Sequence, residues 1–527
     1  MTGIAVLLIG AAVGFGIGRW LKLPAIPILI IVGMVLPLLG TLPDTGMLED
    51  TLVLGLTFLV FVAGMDLNPR RVGGQRRVAM RVGLAQFTVL GVAGFGLSML
   101  LGFDLTTSLY LALAVTASST LVVVRLLQSR QQLFEPFGRT VIGVLLLQDL
   151  LIILLIPVVT RLPDGAGAVA AGVLGAAALT VLAFVCVRWV TPFLVLRLGL
   201  EEESLLLAVL AVLFVFVGLS ALLGLPIIAG AFLAGVSLSS FPVSGVIRGL
   251  LGSVSDFFLA IFFTALGALI TIPAGPFLWR ALALAALVVI LTPPLVTFVG
   301  ERYGLSTRPA IESGLLLAQT SEFSLIVALQ GLVVGHLVPE IFSVVALVTV
   351  ITMVLTPFLA TDAMTWRLMR LHPVRQRQEP HTTPTGHVLL LGCGDNGMPL
   401  LETLLAAGHE VVVVDDDPAV IDRLAEGDVT AIRGDGSDYD VLHRAGAEEA
   451  RVVISTMRRV RDAELVVRRL PEVPVLVRVF DDEDGRRIEA LGGTAVRYAD
   501  AAADDFSRWL DQAEEVGLQH ERRLRPR

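Results

Sequence analysis

The sequence predicts two joined architectures: a polytopic α-helical membrane domain with inverted repeats, followed by an α/β domain on a doubly wound parallel sheet. Three observations carry this. The 527 residues are 55% hydrophobic and only 16% charged, which suits a membrane protein and not a soluble enzyme. The charge is uneven, because apolar runs fill residues 1–360 while Arg, Asp and Glu crowd the chain from Trp366 onward. The pattern then changes from long apolar runs to short β-type runs alternating with amphipathic helical segments. The expected division is a membrane domain over 1–360, a linker over 361–385 rich in charge, Pro and Thr, and a soluble domain over 386–527.

Composition also excludes some classes. The net charge of −8 comes largely from the soluble part, which leaves no nucleic-acid footprint. The two cysteines, Cys186 and Cys393, fall in different domains, so no disulfide framework is expected. The N-terminus lacks a basic n-region and an A-x-A site, and it reads as the first span and not as a cleaved signal.

Apolar runs long enough to span a bilayer number about thirteen, at about 17–25 residues each. They are 2–19, 24–41, 50–66, 79–102, 107–127, 140–160, 166–190, 203–223, 225–241, 253–272, 277–299, 311–333 and 340–360. Arg and Lys collect on one set of loops: Arg19 and Lys22; Arg70, Arg71, Arg76 and Arg77; Arg130 and Arg139; Arg197; Arg248; Arg302 and Arg308. The intervening loops carry few, with Arg161 and Arg280 as exceptions. The positive-inside rule then puts the basic loops and the soluble tail in the cytoplasm and the N-terminus outside, in a plasma membrane of bacterial type.

Some spans echo others. Leu23-Pro24 followed by Gly33 and Leu36 matches Leu225-Pro226 followed by Gly235 and Leu238. FLVFVAGMDL (58–67) matches FFTALGALI (262–270), and the small-polar cluster TASST (116–120) has a counterpart in QTSEF (319–323). Each pair lies seven spans apart, and an odd offset inverts the second copy. Inverted repeats are a transporter signature, with the binding site where the repeats meet.

TASST and QTSEF sit inside apolar spans. Five consecutive small or polar residues predict a broken helix, whose freed backbone groups the hydroxyls re-satisfy. Those hydroxyls also offer oxygens to a small cation. Two acids lie deepest in apolar runs, Asp149 in VLLLQDLLIILLIP (144–157) and Glu322. For Glu322 a structural role, against backbone or an arginine such as Arg125, and a transport role are both open. For Asp149 the transport role is favoured. A bare carboxylate in low dielectric is costly, and either a proton or a cation relieves that cost, so the two compete for it. Gln148 beside it is polar but cannot ionise.

LLLQDL, TASSTL, FVAGMDL, GAFLAG and LLLAQTSEFSL resemble the second monovalent cation:proton antiporter family, and the Gln-Asp pair resembles its potassium-efflux (Kef-type) branch. The resemblance covers nearly all of the membrane domain. It implies a sodium/proton-antiporter-like fold, a dimerisation part, and a core with two crossing broken helices that moves like an elevator. By motif it assigns proton and cation binding to Asp149, the fifth-span crossover to Thr116, Ser118, Ser119 and Thr120, and the twelfth-span crossover to Ser321 and Glu322. The monovalent cation would bind Asp149, Thr116 and Ser119. Many relatives carry a Lys in the eleventh span; Thr292 stands there in this chain, whose one lysine is Lys22. One titrating acid, a Gln neighbour and no Lys imply one proton for one cation, an electroneutral exchange. The resemblance also implies a homodimer and leaves room for an ancillary cytoplasmic regulator. Potassium and sodium both fit these ligands.

In the soluble part six strands are expected: 387–392, 410–415, 429–434, 451–456, 473–480 and 494–499. The first runs into G-C-G-D-N-G (Gly392, Gly394, Asp395, Asn396, Gly397), and an acid ends the second, Asp415 with Asp416 and Asp417 next to it. A strand, a glycine loop, a helix start and an acid about 20 residues on form a dinucleotide fingerprint. The glycines admit a pyrophosphate at a helix N-terminus, and the acid accepts from a ribose diol. NAD(H) or an adenine nucleotide such as AMP or ATP is expected. The tail resembles the NAD-binding (RCK) domain of Trk potassium-uptake regulators, which implies that Gly434 and Asp435 lie near the adenosine. Cys393 reads as a small residue in a tight turn, with a redox sensor as the alternative.

The favoured function is a monovalent cation:proton antiporter gated by a nucleotide domain. A sodium/proton antiporter of the same fold is an alternative. A potassium channel gated by the same type of domain is another, though no selectivity-filter loop of TVGYG type occurs. A membrane-anchored oxidoreductase would need a substrate domain that the tail lacks.

Overall fold

The computed structural model describes residues 2–21, 24–39, 45–66, 75–130, 132–133, 136–190, 202–239, 243–270, 275–371, 385–394, 397–425, 429–457, 459–500, 503 and 506–507. The chain divides into two compact units, one of Met1–Leu305 with Pro309–Met369 and one of Ser306–Arg308 with Arg370–Arg527.

Among its described residues the first unit is built of helices: α1 Thr2–Leu21, α2 Ala25–Val35, α3 Thr45–Asp66, α4 Arg76–Leu100, α5 Leu105–Ala114, α6 Thr120–Ser129, α7 Pro136–Arg161, α8 Ala166–Val185, α9 Glu202–Leu222, α10 Ile227–Ser237, α11 Val243–Leu269, α12 Pro276–Arg302, α13 Thr307–Leu316, α14 Glu322–Val333, α15 Pro339–Leu359 and α16 Asp362–Leu371, where Thr307 and Arg308 of α13 and the last two residues of α16 fall in the second unit. Among the described residues, seven helices are long and apolar enough to cross a membrane. Helix α16 begins inside the stretch that composition marks as linker.

The fifth and twelfth apolar runs are both broken. Helix α5 ends at Ala114 and α6 starts at Thr120; α13 ends at Leu316 and α14 starts at Glu322. Local chemistry sets the restarts. Ser119 caps α6 by accepting from the Val122 amide, and Ser321 caps α14 in a reciprocal box with Ser324. Each such cap stabilises a helix start by about 1 kcal/mol.

The repeat is visible in the packing. Helix α2 crosses α11, and α3 crosses α10, at glycine pairs. A β-carbon on Gly33 would overlap the Thr264 carbonyl oxygen, and one on Gly267 that of Ile30. At the second crossing, a β-carbon on Gly64 would overlap the Phe232 carbonyl oxygen, and one on Gly235 that of Phe61. Gly33 and Gly235 are the residues that match between the second and ninth spans. The two crossings are therefore equivalent positions of the repeat, and the close backbone approach explains why both copies keep glycine there.

The second unit contains a six-stranded, all-parallel sheet in the order β3-β2-β1-β4-β5-β6. Its strands are β1 Val388–Leu391, β2 Val411–Asp415, β3 Thr430–Arg433, β4 Val452–Ser455, β5 Val475–Val479 and β6 Thr494–Arg497. Helices α17 Met398–Ala406, α18 Pro418–Leu424, α19 Tyr439–Arg444, α20 Val460–Arg469 and α21 Asp482–Ala490 connect them. The central strands VLLL and VVVVD are buried along their whole length, as a parallel strand covered on both faces requires. The order reverses between β1 and β4, at the switch point where such sheets bind ligands.

Enlarging a crossing glycine should separate the backbones. Gly235→Val and its repeat mate Gly33→Val should each destabilise the first unit by about 1–3 kcal/mol or more. Thermal unfolding of detergent-solubilised protein should show both variants well below wild type, and wild-type melting of either would contradict the glycine-crossing account.

Candidate ion and nucleotide sites

In the first unit the two breaks meet. Ser118 donates its hydroxyl to the Leu317 carbonyl at 2.8 Å, at the C-terminal end of α13. Ser324, in the first turn of α14, donates to the Ala114 carbonyl at the C-terminal end of α5. Each helix end is thus closed by a hydroxyl of the other broken span. The Thr320 amide donates to Thr352 on α15 at 3.1 Å, and the Thr320 hydroxyl pairs with those of Thr349 and Thr352.

Asp149 and Gln148 lie on α7, both buried, and face these breaks. Thr120, the first residue of α6, donates its hydroxyl to Asp149 Oδ2 at 2.8 Å. Gln148 Oε1 accepts from the Ser118 amide at 3.1 Å. Asp149 therefore sits where α6 begins, and the helix dipole favours negative charge there. Glu322 is buried at the start of α14, and its carboxylate lies beside the Ser119 hydroxyl and the Leu121 amide. One carboxylate so serves the N-terminal ends of α6 and α14, while Arg125 is exposed. Glu322 Oε2 and Gln148 Nε2 are buried with no hydrogen-bond partner.

Not every hydroxyl singled out from the sequence reaches the acid. Thr116 donates to the Leu113 carbonyl at 2.7 Å, and Ser119 caps α6. Both keep a lone pair, but both are committed to helix ends. Thr292 on α12 is fully buried and its hydroxyl has no partner. A cavity of about 200 Å³ lined by Pro24, Leu121, Val122, Arg125, Ser129 and Pro357 flanks α6.

Composition patterns missed Gln86, on α4. It is buried, and its Nε2 reaches Ser118 Oγ at 3.2 Å and the Leu317 carbonyl at 3.5 Å. A lone amide in an apolar helix was the available signal. Thr349 and Thr352 carry no more signal, because isolated hydroxyls in apolar spans are common, and Ser324 lies within LLLAQTSEFSL without standing apart from it.

In the second unit the glycine loop follows β1. Gly392 has φ 86°, a left-handed conformation that favours glycine. A β-carbon on Gly397, at the start of α17, would overlap the Gly392 carbonyl oxygen. Around Gly394 there is open space. Asp395 and Asn396 lie outside the described residues. Asp415 braces this loop, accepting from the Cys393 amide at 2.5 Å and the Asp417 amide at 2.9 Å. Burial and the neighbouring Asp415 push the Cys393 thiol up to about 11. A protonated, buried thiol is a poor nucleophile, which favours the tight-turn reading over a redox sensor.

Gly434 and Asp435 follow β3. Burial works to raise the Asp435 carboxyl, but the Arg308 guanidinium at 2.9 Å and the Ser437 donors hold it below the usual range. Arg308 also binds Asp462 at 3.0 Å. Asp416 accepts from the Ser306 hydroxyl at 2.9 Å. Burial, followed by repulsion from Asp435 and Asp415, pushes the Asp416 carboxyl up to about 7.

A family model described as sodium/hydrogen exchanger, transmembrane, matches residues 4–361. The chain belongs to the sodium/hydrogen exchanger family. A second model, the TrkA-N domain, matches residues 388–499. The "putative cation/proton antiporter YbaL" of Escherichia coli K12 is 26% identical over 87% of this chain and 87% of its own length. The glutathione-regulated potassium-efflux system protein KefC of Enterobacter sp. strain 638 is 27% identical over 93% of this chain and 80% of its own. The structure of the sodium proton antiporter MjNhaP1 from Methanocaldococcus jannaschii covers 70% of this exchanger and 98% of its own chain, with 16% identity and a TM-score of 0.56, which shows a shared fold. The exchanger unit is thus a helical membrane domain of antiporter fold, and the TrkA-N unit a Rossmann-like one.

Because Asp416 holds its proton more tightly in the folded chain, its contribution to stability is full below about pH 4 and is lost as pH rises through about 7. Asp416→Asn should flatten that slope and raise the melting temperature at pH 8 by a few degrees. Scanning calorimetry of the full-length protein from pH 5 to 8 checks this; parallel wild-type and variant curves would contradict it.

Proposed function

We propose that this chain is a secondary active antiporter that exchanges a monovalent cation, potassium, for a proton across a bacterial-type plasma membrane, under the control of a nucleotide bound to the TrkA-N unit. The observation that carries this reading is Asp149, a buried carboxylate placed by Thr120 and Gln148 at the junction of two broken helices. The KefC relatives favour potassium over sodium.

Asp149 holds either a proton or a cation. Loading one releases the other, so one positive charge moves each way and the exchange is electroneutral. Ser118, Ser119, Thr116 and Thr120 hold the crossover backbone, and hydroxyl and carbonyl oxygens there replace water around a small cation. Ser321 and Glu322 hold the opposite crossover, and Thr292 adds no charge from α12. The protein works as a homodimer with its N-terminus outside, and 361–385 links the exchanger domain (1–360) to the cytoplasmic domain (386–527).

The glycine cradle at Gly392, Gly394 and Gly397 supports nucleotide binding, because its bare backbone admits a pyrophosphate at the start of α17. Asp395 and Asn396 belong to the same G-C-G-D-N-G motif in the sequence. A carboxylate has about four lone-pair sites, so Asp415 can accept a ribose diol besides its two backbone donors. Gly434, Asp435 and Asp416 flank the adenosine. NAD(H) or an adenine nucleotide such as AMP or ATP fits this set.

Cation-induced proton efflux from everted vesicles, with potassium and sodium compared, tests the exchange. Asp149→Asn should abolish it; retained exchange would remove the core of the reading. Clamping proteoliposomes at different potentials should leave the rate unchanged if exchange is electroneutral. Calorimetric titration of the purified protein should show NAD or AMP binding, with Asp415→Asn weakening it about tenfold, the value of one charged hydrogen bond. NADP should bind less well, since its 2′-phosphate would face the acids.

A further inference from the structure

Gln86 belongs to no motif and touches no acid, yet it stands at the centre of the crossover. Helix α4 is pressed close on two sides. A β-carbon on Gly83 would come within 2.9 Å of Leu147 on α7, and one on Gly91 within 3.3 Å of Thr116 in the break. Between them, Gln86 Nε2 donates to Ser118 Oγ and to the Leu317 carbonyl. Ser118 in turn donates its hydroxyl to Leu317 and its amide to Gln148, the neighbour of Asp149. A short chain of hydrogen bonds therefore runs from α4 through both breaks to the residue beside the candidate ion ligand.

The donors in that chain share one property. The Leu317 carbonyl closes α13 and lies at the negative end of its dipole. It accepts from the Ser118 hydroxyl, the Gln319 amide and the Gln86 amide, all neutral. A cationic side chain at the Gln86 position would satisfy the same carbonyl, but it would place a fixed charge within the hydrogen-bond chain that ends beside Asp149. At low dielectric, such a charge would interact strongly with the acid.

We propose that Gln86 is a positioning residue of the exchange: its neutral amide ties the two broken helices together at Ser118 and Leu317 and so sets the place of Gln148 and Asp149 without adding charge. The inference rests on the antiporter reading above. It separates two roles that one substitution cannot separate, tying and neutrality.

Two variants of the full-length protein test it in proteoliposomes, with rate, cation KM and pH profile measured for each. Gln86→Met keeps the shape and removes the donors. It should lower the maximal rate about tenfold, as for one buried hydrogen bond, with the pH profile unmoved. Gln86→Lys keeps a donor and adds charge. It should retain more of the rate than Gln86→Met, move the pH of half-maximal exchange by about one unit toward acid, and make the rate depend on membrane potential. Wild-type kinetics in Gln86→Met, or a wild-type pH profile and voltage independence in Gln86→Lys, would overturn the proposal. If Gln86→Met does not fold, Gln86→Lys carries the test alone. Exchange missing from wild type would defeat the antiporter reading. Exchange present in wild type, lost in Asp149→Asn and unaltered by both Gln86 variants would defeat this inference only.

Discussion

Two helices stop in the middle of apolar spans, and the rest of the exchanger unit is arranged around that fact. Hydrocarbon offers no partner to a freed amide or carbonyl, so each must be satisfied inside the protein. The structure meets the need by crossing one break over the other. Ser118 serves Leu317, Ser324 serves Ala114, and Thr352 serves Thr320. The hydroxyls that look like ion ligands in the sequence are largely doing this work. Asp149 is then brought beside unwound backbone at the N-terminus of α6, where Thr120 donates to it.

Close crossing elsewhere follows from the same requirement. Two broken spans can meet only if the helices around them hold the core compact. The glycine crossings of α2 with α11 and of α3 with α10 achieve this at the cost of side-chain freedom. They occur as a symmetric pair because the two halves are inverted copies. Symmetry is then broken where function needs it. Asp149 follows the first crossover and the acid of the second, Glu322, instead sits at the N-terminal ends of two half-helices.

The TrkA-N unit solves a different problem. Its parallel sheet reverses order between β1 and β4, and the glycine loop after β1 is held by Asp415. Acids then accumulate around it: Asp416, Asp435 and Asp462 are all at least partly buried. Arg308 offsets two of them, while Asp416 instead rises to about 7. The crowding of these acids is what raises the Asp416 carboxyl.

Much of this was legible in the chain. Long apolar runs, the inverted offset between LP-G and FLVFVAGMDL copies, and the interruptions at TASST and QTSEF announce a broken-helix membrane core, because span length and backbone satisfaction are constraints on consecutive residues. The glycine loop and strand alternation announce the nucleotide fold for the same reason. What consecutive residues cannot contain is which group meets which. Gln86 is thirty-two positions from Ser118 and more than two hundred from Leu317. Its role arises only when α4, α7 and both breaks pack together. The sequence by itself determined that two helices would break and that an acid would be buried near them. The tertiary structure alone decided that a neutral amide from a third helix would join the breaks, because a hydrogen bond depends on distance in space and not along the chain.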